Sequence, residues 1–78
     1  MYVKEEFYKM AIIYKIDVLE ALKAAGFSTY RLRTGKLLSE ATLTRLRRHE
    51  MISMDSLEKI CGMLRMQPGD IIEYREES

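Results

Sequence analysis

The feature that most constrains the fold is a series of closely spaced helix-start signals. They are Asp17, Ser28, Ser39, Ser53 and the pair Gln67-Pro68. Aspartate and serine side chains accept hydrogen bonds from the free N–H groups of a first helical turn, and proline suits the first helical position. Because each signal follows the last so closely, the sequence predicts five short helices joined by tight turns.

Apolar residues follow these signals at helical spacing. Leu57, Ile60, Cys61 and Leu64 fall at i, i+3, i+4 and i+7, which is one face of a helix. The other helices contribute shorter apolar sets, namely Val18, Leu19 and Leu22, then Leu32, then Leu43 and Leu46. Gly26 and Gly35 stand where the first two helices should end. This pattern predicts a compact all-α domain with one core.

The two ends of the chain are less constrained. Val3, Phe7, Met10 and Tyr14 fit the stripe of an extra N-terminal helix, whereas residues 12–14 also suit a short strand beside residues 71–74. We therefore expect a domain over residues 13–74, preceded by an extension over residues 1–12 that is available for dimer contacts. Residues 75–78 are predicted to form a solvated tail.

Length and composition exclude several protein classes. Seventy-eight residues, of which 32% are charged, allow one globular domain. No apolar run approaches the ~20 residues of a membrane-spanning helix, and the N-terminus lacks a signal-peptide pattern. A lone cysteine cannot form an internal disulfide, which fits a reducing compartment. We expect a cytoplasmic protein without membrane contact.

Candidate catalytic and metal-binding residues are few. His49 is the only histidine, Cys61 lies on the apolar face of the fourth helix, and the serines that precede helices read as caps. A zinc site would need more histidine or cysteine ligands, and a serine nucleophile would need a base. The sequence therefore predicts no enzyme, no metal, no cofactor and no small-molecule ligand.

Charge is unevenly distributed along the chain. The net charge is only +1, but residues 28–49 hold six basic side chains against one acidic side chain, a balance of +5. The remaining residues hold seven basic and eleven acidic side chains, a balance of −4. A polyanion would therefore be attracted to one face of the molecule and repelled by the other.

The third predicted helix carries much of this positive charge. If Leu43 and Leu46 face the core, a helical wheel turns Ala41, Thr44, Arg45 and Arg48 outward, with Glu40 near the N-terminus and Arg47 at the flank. Compact side chains followed by long cations suit insertion into a DNA major groove, where the cations reach phosphates. The alternative is an ordinary solvated surface helix.

A family resemblance adds to this pattern. The segment GFSTYRLRTGKLLSEATLTRL, residues 26–46, resembles the helix-turn-helix of the Cro and phage-repressor family of transcriptional regulators. The likeness continues through MISMDSLEKICGMLRMQPGDIIEY, residues 51–74, which is similar to the fourth and fifth helices of small bacterial and mobile-element members. The resemblance implies a five-helix lambda-repressor-like domain that binds double-stranded DNA.

The resemblance also implies roles for individual residues. The base-reading residues would be Glu40, Ala41, Thr44 and Arg45. The phosphate-binding residues would be Thr29 and Arg48. Apart from the resemblance, we also expect Lys36 to bind phosphate, and the helical wheel gives Arg47 a structural or peripheral phosphate role. The chain departs from the family in two places, since Arg33 replaces a usual alanine and Leu37 a usual glycine. Arg33 must then extend outward, and Leu37 must avoid a left-handed conformation.

Two functional hypotheses follow. The first is a sequence-specific regulator, a repressor that binds a two-fold operator through residues 39–48. It would act as a homodimer, because one unit covers only a few base pairs. Candidate interface residues are Val3, Phe7 and Ile12, with Ile72 or Tyr74. The second is a protein-interaction module of the same fold, such as an antitoxin or a regulator adaptor, which the modest net charge and apolar N-terminus favour.

Overall fold

Five helices and two strands make up the part of the chain that the structure describes. A computed structural model describes residues 10–76. In chain order the elements are β1 (Met10–Tyr14), α1 (Val18–Ala24), α2 (Thr29–Thr34), α3 (Glu40–Arg47), α4 (Met54–Leu64), α5 (Pro68–Ile71) and β2 (Ile72–Glu76). Each helix begins directly after its predicted cap.

The prediction of an all-α fold is wrong. β1 and β2 form an antiparallel sheet whose register runs from Met10 opposite Glu76 to Tyr14 opposite Ile72. β-Branched and aromatic residues in both segments favour an extended backbone. The helical alternative for Met10–Tyr14 fails, whereas the strand alternative matches the structure. Val3 and Phe7, from the same predicted stripe, lie outside the described residues.

β2 also extends beyond the predicted end of the domain. Arg75 and Glu76, which we expected in a solvated tail, are paired with Ala11 and Met10 across the sheet. The side chains of Arg75 and Glu76 remain exposed. Polarity had indicated a tail, but an edge strand with outward polar side chains has the same composition.

Side-chain caps fix the helix starts. Asp17, Ser28, Ser39 and Ser53 each accept a hydrogen bond from the backbone N–H three residues later, at 3.1 to 3.2 Å. The Asp70 carboxylate accepts one from the backbone N–H of Gln67 at 3.1 Å. Each such cap typically contributes about 1 kcal/mol, so these local signals hold the short helices in register.

The first three helices end in the same backbone motif. A left-handed residue follows each helix, namely Gly26 (φ 96°), Lys36 (φ 55°) and His49 (φ 58°). The next backbone N–H then donates to a carbonyl five residues earlier, at distances from 2.8 to 3.0 Å. This is the Schellman motif, which turns the chain sharply and satisfies the last carbonyls of a helix.

The core lies among all five helices. α1 packs against α3 and α4, and α5 packs against α4 and β2. The buried apolar side chains are Val18, Leu22, Leu32, Leu38, Leu43, Leu46, Leu57, Ile60 and Ile71. Leu19, Cys61 and Leu64 pack against this core but stay half-buried. The predicted apolar faces are therefore confirmed, and they leave one side of α3 free.

Candidate nucleic-acid interface

A tight turn joins α2 to α3. The backbone N–H of Leu37 donates to the carbonyl of Leu32 at 3.0 Å, and Lys36, not Leu37, takes the left-handed conformation. A Cβ added at Gly35 would lie 2.9 Å from the Arg31 carbonyl oxygen, which is too close for any other residue without a shift. The backbone at Gly35 therefore passes close to the Arg31 carbonyl, and the Leu38 side chain that follows the turn is buried in the core.

α3 has two chemically different sides. Thr42, Leu43 and Leu46 are buried, whereas the opposite side is polar and open. The exposed residues of α3 and its cap are Glu40, Ala41, Arg45, Arg47 and Arg48, and Thr44 is half-buried. The wheel derived from the sequence is therefore correct for Ala41, Arg45 and Arg48, whereas Thr44, which it turned outward, is half-buried. The exposed side of α3 therefore has a compact side chain, Ala41, near its start and long arginine side chains towards its end.

A buried threonine fixes the roll of α3 about its own axis. The Thr42 hydroxyl accepts a hydrogen bond from the Ser39 hydroxyl at 3.0 Å and shares another with Ser56 of α4 at 3.2 Å. Sequence reasoning missed this link. The wheel held a signal for it, since Thr42 lies beside the leucine side of the helix. The hydrogen bonds tie the start of α3 to α4, so the outer face is held firmly.

Arg33 and Glu40 form an ion pair between α2 and α3. The Arg33 Nε donates to the Glu40 carboxylate, and the two side chains are 49% and 60% exposed. Arg33 extends outward as expected, but the pairing was not foreseen. At this exposure the pair adds little stability. The pair matters electrostatically, because the positive charge of Arg33 offsets the negative charge of Glu40 at the first position of α3.

The proposed phosphate-binding residues are spread around this helix pair. Thr29 is half-buried at the start of α2, and Lys36 and Arg48 are exposed after α2 and α3. Arg31, also counted in the basic segment, is tied down: its Nη1 donates to the Gly26 carbonyl at 2.7 Å and its guanidinium lies over Phe27. Lys36 and Arg48, which form no ion pair within residues 10–76, therefore lie at the ends of the two helices.

Tyr14 connects the sheet to the end of α3. Its hydroxyl donates to the backbone carbonyl of Glu50 at 2.7 Å, and its ring meets His49 edge-on at a centroid distance of 6.5 Å. Burial raises the pKa of the Tyr14 hydroxyl, because water no longer solvates the charged form as well. Nothing in the sequence signalled this contact between residues 36 positions apart.

The described residues offer neither a metal site nor a membrane-spanning helix. Across residues 10–76, no group of histidine, cysteine and acidic side chains lies close enough together to hold a metal ion. Within that same span, every helix is too short or too polar to cross a bilayer. The exposed, positively charged face of α3 therefore remains as the candidate site in this part of the chain.

Comparisons with known proteins agree with this geometry. Residues 15–77 match the model of the Cro/C1-type HTH DNA-binding domain. YozG of Bacillus subtilis (strain 168), an uncharacterized HTH-type transcriptional regulator, is 35% identical over 68 residues, which cover 87% of this chain and 81% of that protein. The crystal structure of the transcriptional regulator VanUg, Form II, matches with a TM-score of 0.62 at 27% identity, over 99% of this chain and 96% of that one.

The match spans the whole helical part of the chain, including the turn and the free face described above. It also includes β2, whereas β1 lies before the first matched residue. The chain is a member of the Cro/C1-type helix-turn-helix family of DNA-binding transcriptional regulators.

Proposed function

We propose that the protein is a repressor that reads a specific double-stranded DNA site by placing α3 in the major groove. The observation that carries this proposal is the orientation of α3, which buries Thr42, Leu43 and Leu46 and opens Ala41 and Arg45 to solvent. A B-DNA major groove admits one α-helix, and compact residues at its leading end allow close approach to base edges.

Base reading is assigned to Glu40, Ala41, Thr44 and Arg45. The Arg45 guanidinium can donate two hydrogen bonds to guanine, and the Glu40 carboxylate can accept one from the amino group of cytosine. A free carboxylate would be repelled by phosphates, but Arg33 accompanies this one. Removal of the Arg33 side chain would therefore weaken DNA binding in two ways. It would leave the Glu40 carboxylate unpaired near the phosphates, and it would remove a positive charge.

Phosphate binding is assigned to Thr29, Lys36 and Arg48. Phosphate contacts fix the register of a protein on DNA but carry no sequence information. Arg48 is the C-cap residue of α3 and is exposed, so its side chain is free to reach a phosphate beside the groove. Arg47 is exposed as well and is given a peripheral phosphate role.

We propose a homodimer that forms through an apolar patch, here called the sheet patch: Ile12, Met51, Met54 and Tyr74. Their exposed fractions are 49%, 41%, 75% and 61%. Ile12 and Tyr74 are cross-strand partners, and Ile12 borders a shallow hollow with Met51 and Met54. Clustered exposed apolar residues mark interaction surfaces. Ile72 is half-buried against the core and contributes less.

A dimer matches a two-fold operator. Two copies of α3 would then contact half-sites about one helical turn (~34 Å) apart. A repressor of this kind acts by occupancy, because a protein bound over a promoter excludes polymerase.

Selection of bound duplexes from a random pool, followed by sizing of the complex, tests the proposal. The expected result is an inverted repeat bound by two chains. The Ala41→Phe variant, with an intact fold, should fail to retain the selected duplexes. No retention of any duplex at low salt would overturn the proposal and favour a protein-interaction module.

A further inference from the structure

A second surface lies on α4, apart from the residues assigned to base reading. It is a groove of about 560 Å³ between α4, the turn after α2 and the loop after α1. Its floor is formed by Phe27, Leu37, Gly62 and Met63, and its rim by Lys36, Lys59 and Arg65. Volumes of roughly 300–1,000 Å³ are usual for sites that hold a ligand or an anchoring side chain.

The rim carries one sign of charge. All three rim side chains are cations, and no acidic residue lines the groove. Within residues 10–76, none of the three forms an ion pair. An adjoining hollow shares Lys36 and Lys59 and adds Glu40, whose carboxylate is already paired with Arg33. The groove is therefore electrostatically complementary to an anion.

The floor argues against a nucleic-acid backbone as that anion. Phe27, Leu37 and Met63 are half-buried apolar side chains that pack against the core and offer a ligand no hydrogen bond. A phosphate laid over them would lose water without gaining a polar partner. An occupant of this groove needs apolar groups for the floor and acidic groups for the rim.

Gly62 gives a second, independent indication. It lies inside α4, where glycine costs about 1 kcal/mol relative to alanine. A Cβ at this position would meet nothing within 4 Å, so no contact within the described chain requires glycine here. Glycine is used where another backbone or a ligand approaches closely. At Gly62 the groove reaches the bare backbone of α4.

We propose that this groove binds an acidic amphipathic helix of a partner protein. Apolar side chains of that helix, spaced at i, i+4 and i+7, would cover Phe27, Leu37 and Met63. Its flanking carboxylates would meet Lys59 and Arg65, and its closest approach would be at Gly62. The site is separate from the exposed face of α3, so the protein would connect a DNA site to a second protein.

Two groove variants and two matched controls isolate the site. Gly62→Leu fills the groove without removing a contact, and the pair Lys59→Glu and Arg65→Glu reverses the rim charge. Glu58→Leu adds the same side chain at an exposed position of α4 outside the groove, and Lys23→Glu reverses an exposed charge on α1. Lys36 is left unchanged because it is also assigned to phosphate. Thermal unfolding verifies that each variant is folded.

The probe is a displayed library of random amphipathic peptides about 15 residues long, near the length at which isolated helices form. Selection uses the full wild-type chain, with counter-selection on the bare display support. We expect selected peptides to combine an i, i+4, i+7 apolar face with an excess of aspartate and glutamate. A synthetic copy should shift the amide NMR signals of Gly62 and Met63. Its affinity should fall about tenfold in the rim variant and stay within about twofold in both controls.

Several outcomes would overturn the inference. These are failure to enrich any peptide, enriched peptides without acidic excess, equal binding to Gly62→Leu, and signal shifts confined to the sheet patch. Titration with random duplex DNA that shifts Gly62 and Met63 more than Ala41 and Arg45 would assign the groove to nucleic acid instead. DNA affinity of Gly62→Leu should equal that of the wild type, so this test does not depend on the proposed repressor activity.

Discussion

The outer face of α3 and the sheet patch are both exposed, yet their chemistry is opposite. The outer face of α3 carries alanine, threonine and arginine, whereas the sheet patch carries isoleucine, methionine and tyrosine without a charge. Neither surface is needed to complete the core, which in residues 10–76 consists of nine buried apolar side chains. The difference indicates two kinds of partner, a polyanion for α3 and a like apolar surface for the sheet.

The two surfaces also arise differently. The face of α3 depends on one helix, whose roll is fixed by Leu43, Leu46 and the Thr42–Ser56 hydrogen bond. The sheet patch is formed by residues from β1, from β2 and from the segment around the start of α4. A local change should therefore alter DNA reading alone, whereas changes in the sheet should alter assembly first and DNA binding as a consequence.

The largest effect is expected from Ala41→Phe. A bulky ring at the leading end of α3 would hold the helix away from the base edges, so affinity for the selected duplex should fall by about 100-fold or more, or ~2.7 kcal/mol. Fluorescence anisotropy measures this. Ala24→Phe places the same ring at an exposed site on α1 and should leave affinity unchanged. Equal affinity of Ala41→Phe and wild type would mean that α3 does not enter the groove.

A somewhat smaller effect is expected from Tyr74→Asp. A carboxylate buried in an apolar interface is strongly unfavourable, so the dimer should dissociate and operator affinity should fall by about 30-fold, or ~2 kcal/mol. Sedimentation at several concentrations measures the dissociation. Arg75→Asp is the matched control, because successive side chains of a strand point to opposite faces. If Tyr74→Asp remains dimeric, the sheet patch is not the interface.

The comparison also explains what the sequence could predict. Helix starts are local events, since Ser28 and Ser39 cap backbone groups only three residues away. The solvent-facing side of α3 follows from the period of the helix and the positions of Leu43 and Leu46. The five helices and the exposed side of α3 were therefore predictable, whereas the all-α fold class was wrong. The contacts assigned to bases and phosphates stay predictions, because they depend on a partner molecule and not on the fold of this chain.

The rest depends on contacts between distant residues. Ile12 pairs with Tyr74 only after the helices have brought the chain ends together, and no local pattern encodes that register. The Arg33–Glu40 pair and the Tyr14–Glu50 hydrogen bond likewise depend on tertiary packing. The sequence indicated that Leu37 should not take the left-handed conformation of the turn. It did not indicate which residue would, and in the structure that residue is Lys36, next to Gly35.

An intermediate effect is expected from Arg48→Ala. Loss of one phosphate contact should weaken binding to all duplexes by several-fold at low salt and reduce the slope of log K against log salt by about one unit. Sequence preference should not change, in contrast to substitutions at Arg45. Lys23→Ala removes an exposed cation from α1 and should leave the slope as in the wild type. A change of sequence preference in Arg48→Ala would move that residue from the phosphates to the bases.

The smallest effect concerns Tyr14, which joins the two surfaces. Tyr14→Phe removes the hydrogen bond to the Glu50 carbonyl and should lower the free energy of unfolding by about 1 kcal/mol. Burial raises the pKa of Tyr14, so the folded state favours the neutral hydroxyl. Its contribution is therefore complete below the unfolded value near 10 and lost as pH rises through the raised folded value.

Urea unfolding across this alkaline range should show a smaller loss of stability in Tyr14→Phe than in wild type. Tyr30→Phe is the control, because it removes the same hydroxyl from a side chain that is 71% exposed. If Tyr14→Phe matches Tyr30→Phe both in its free energy of unfolding at neutral pH and in its pH profile, the hydrogen bond adds no measurable stability. The sheet patch and the outer face of α3 would then be joined only through the apolar core, and dimer contacts would reach α3 by packing alone.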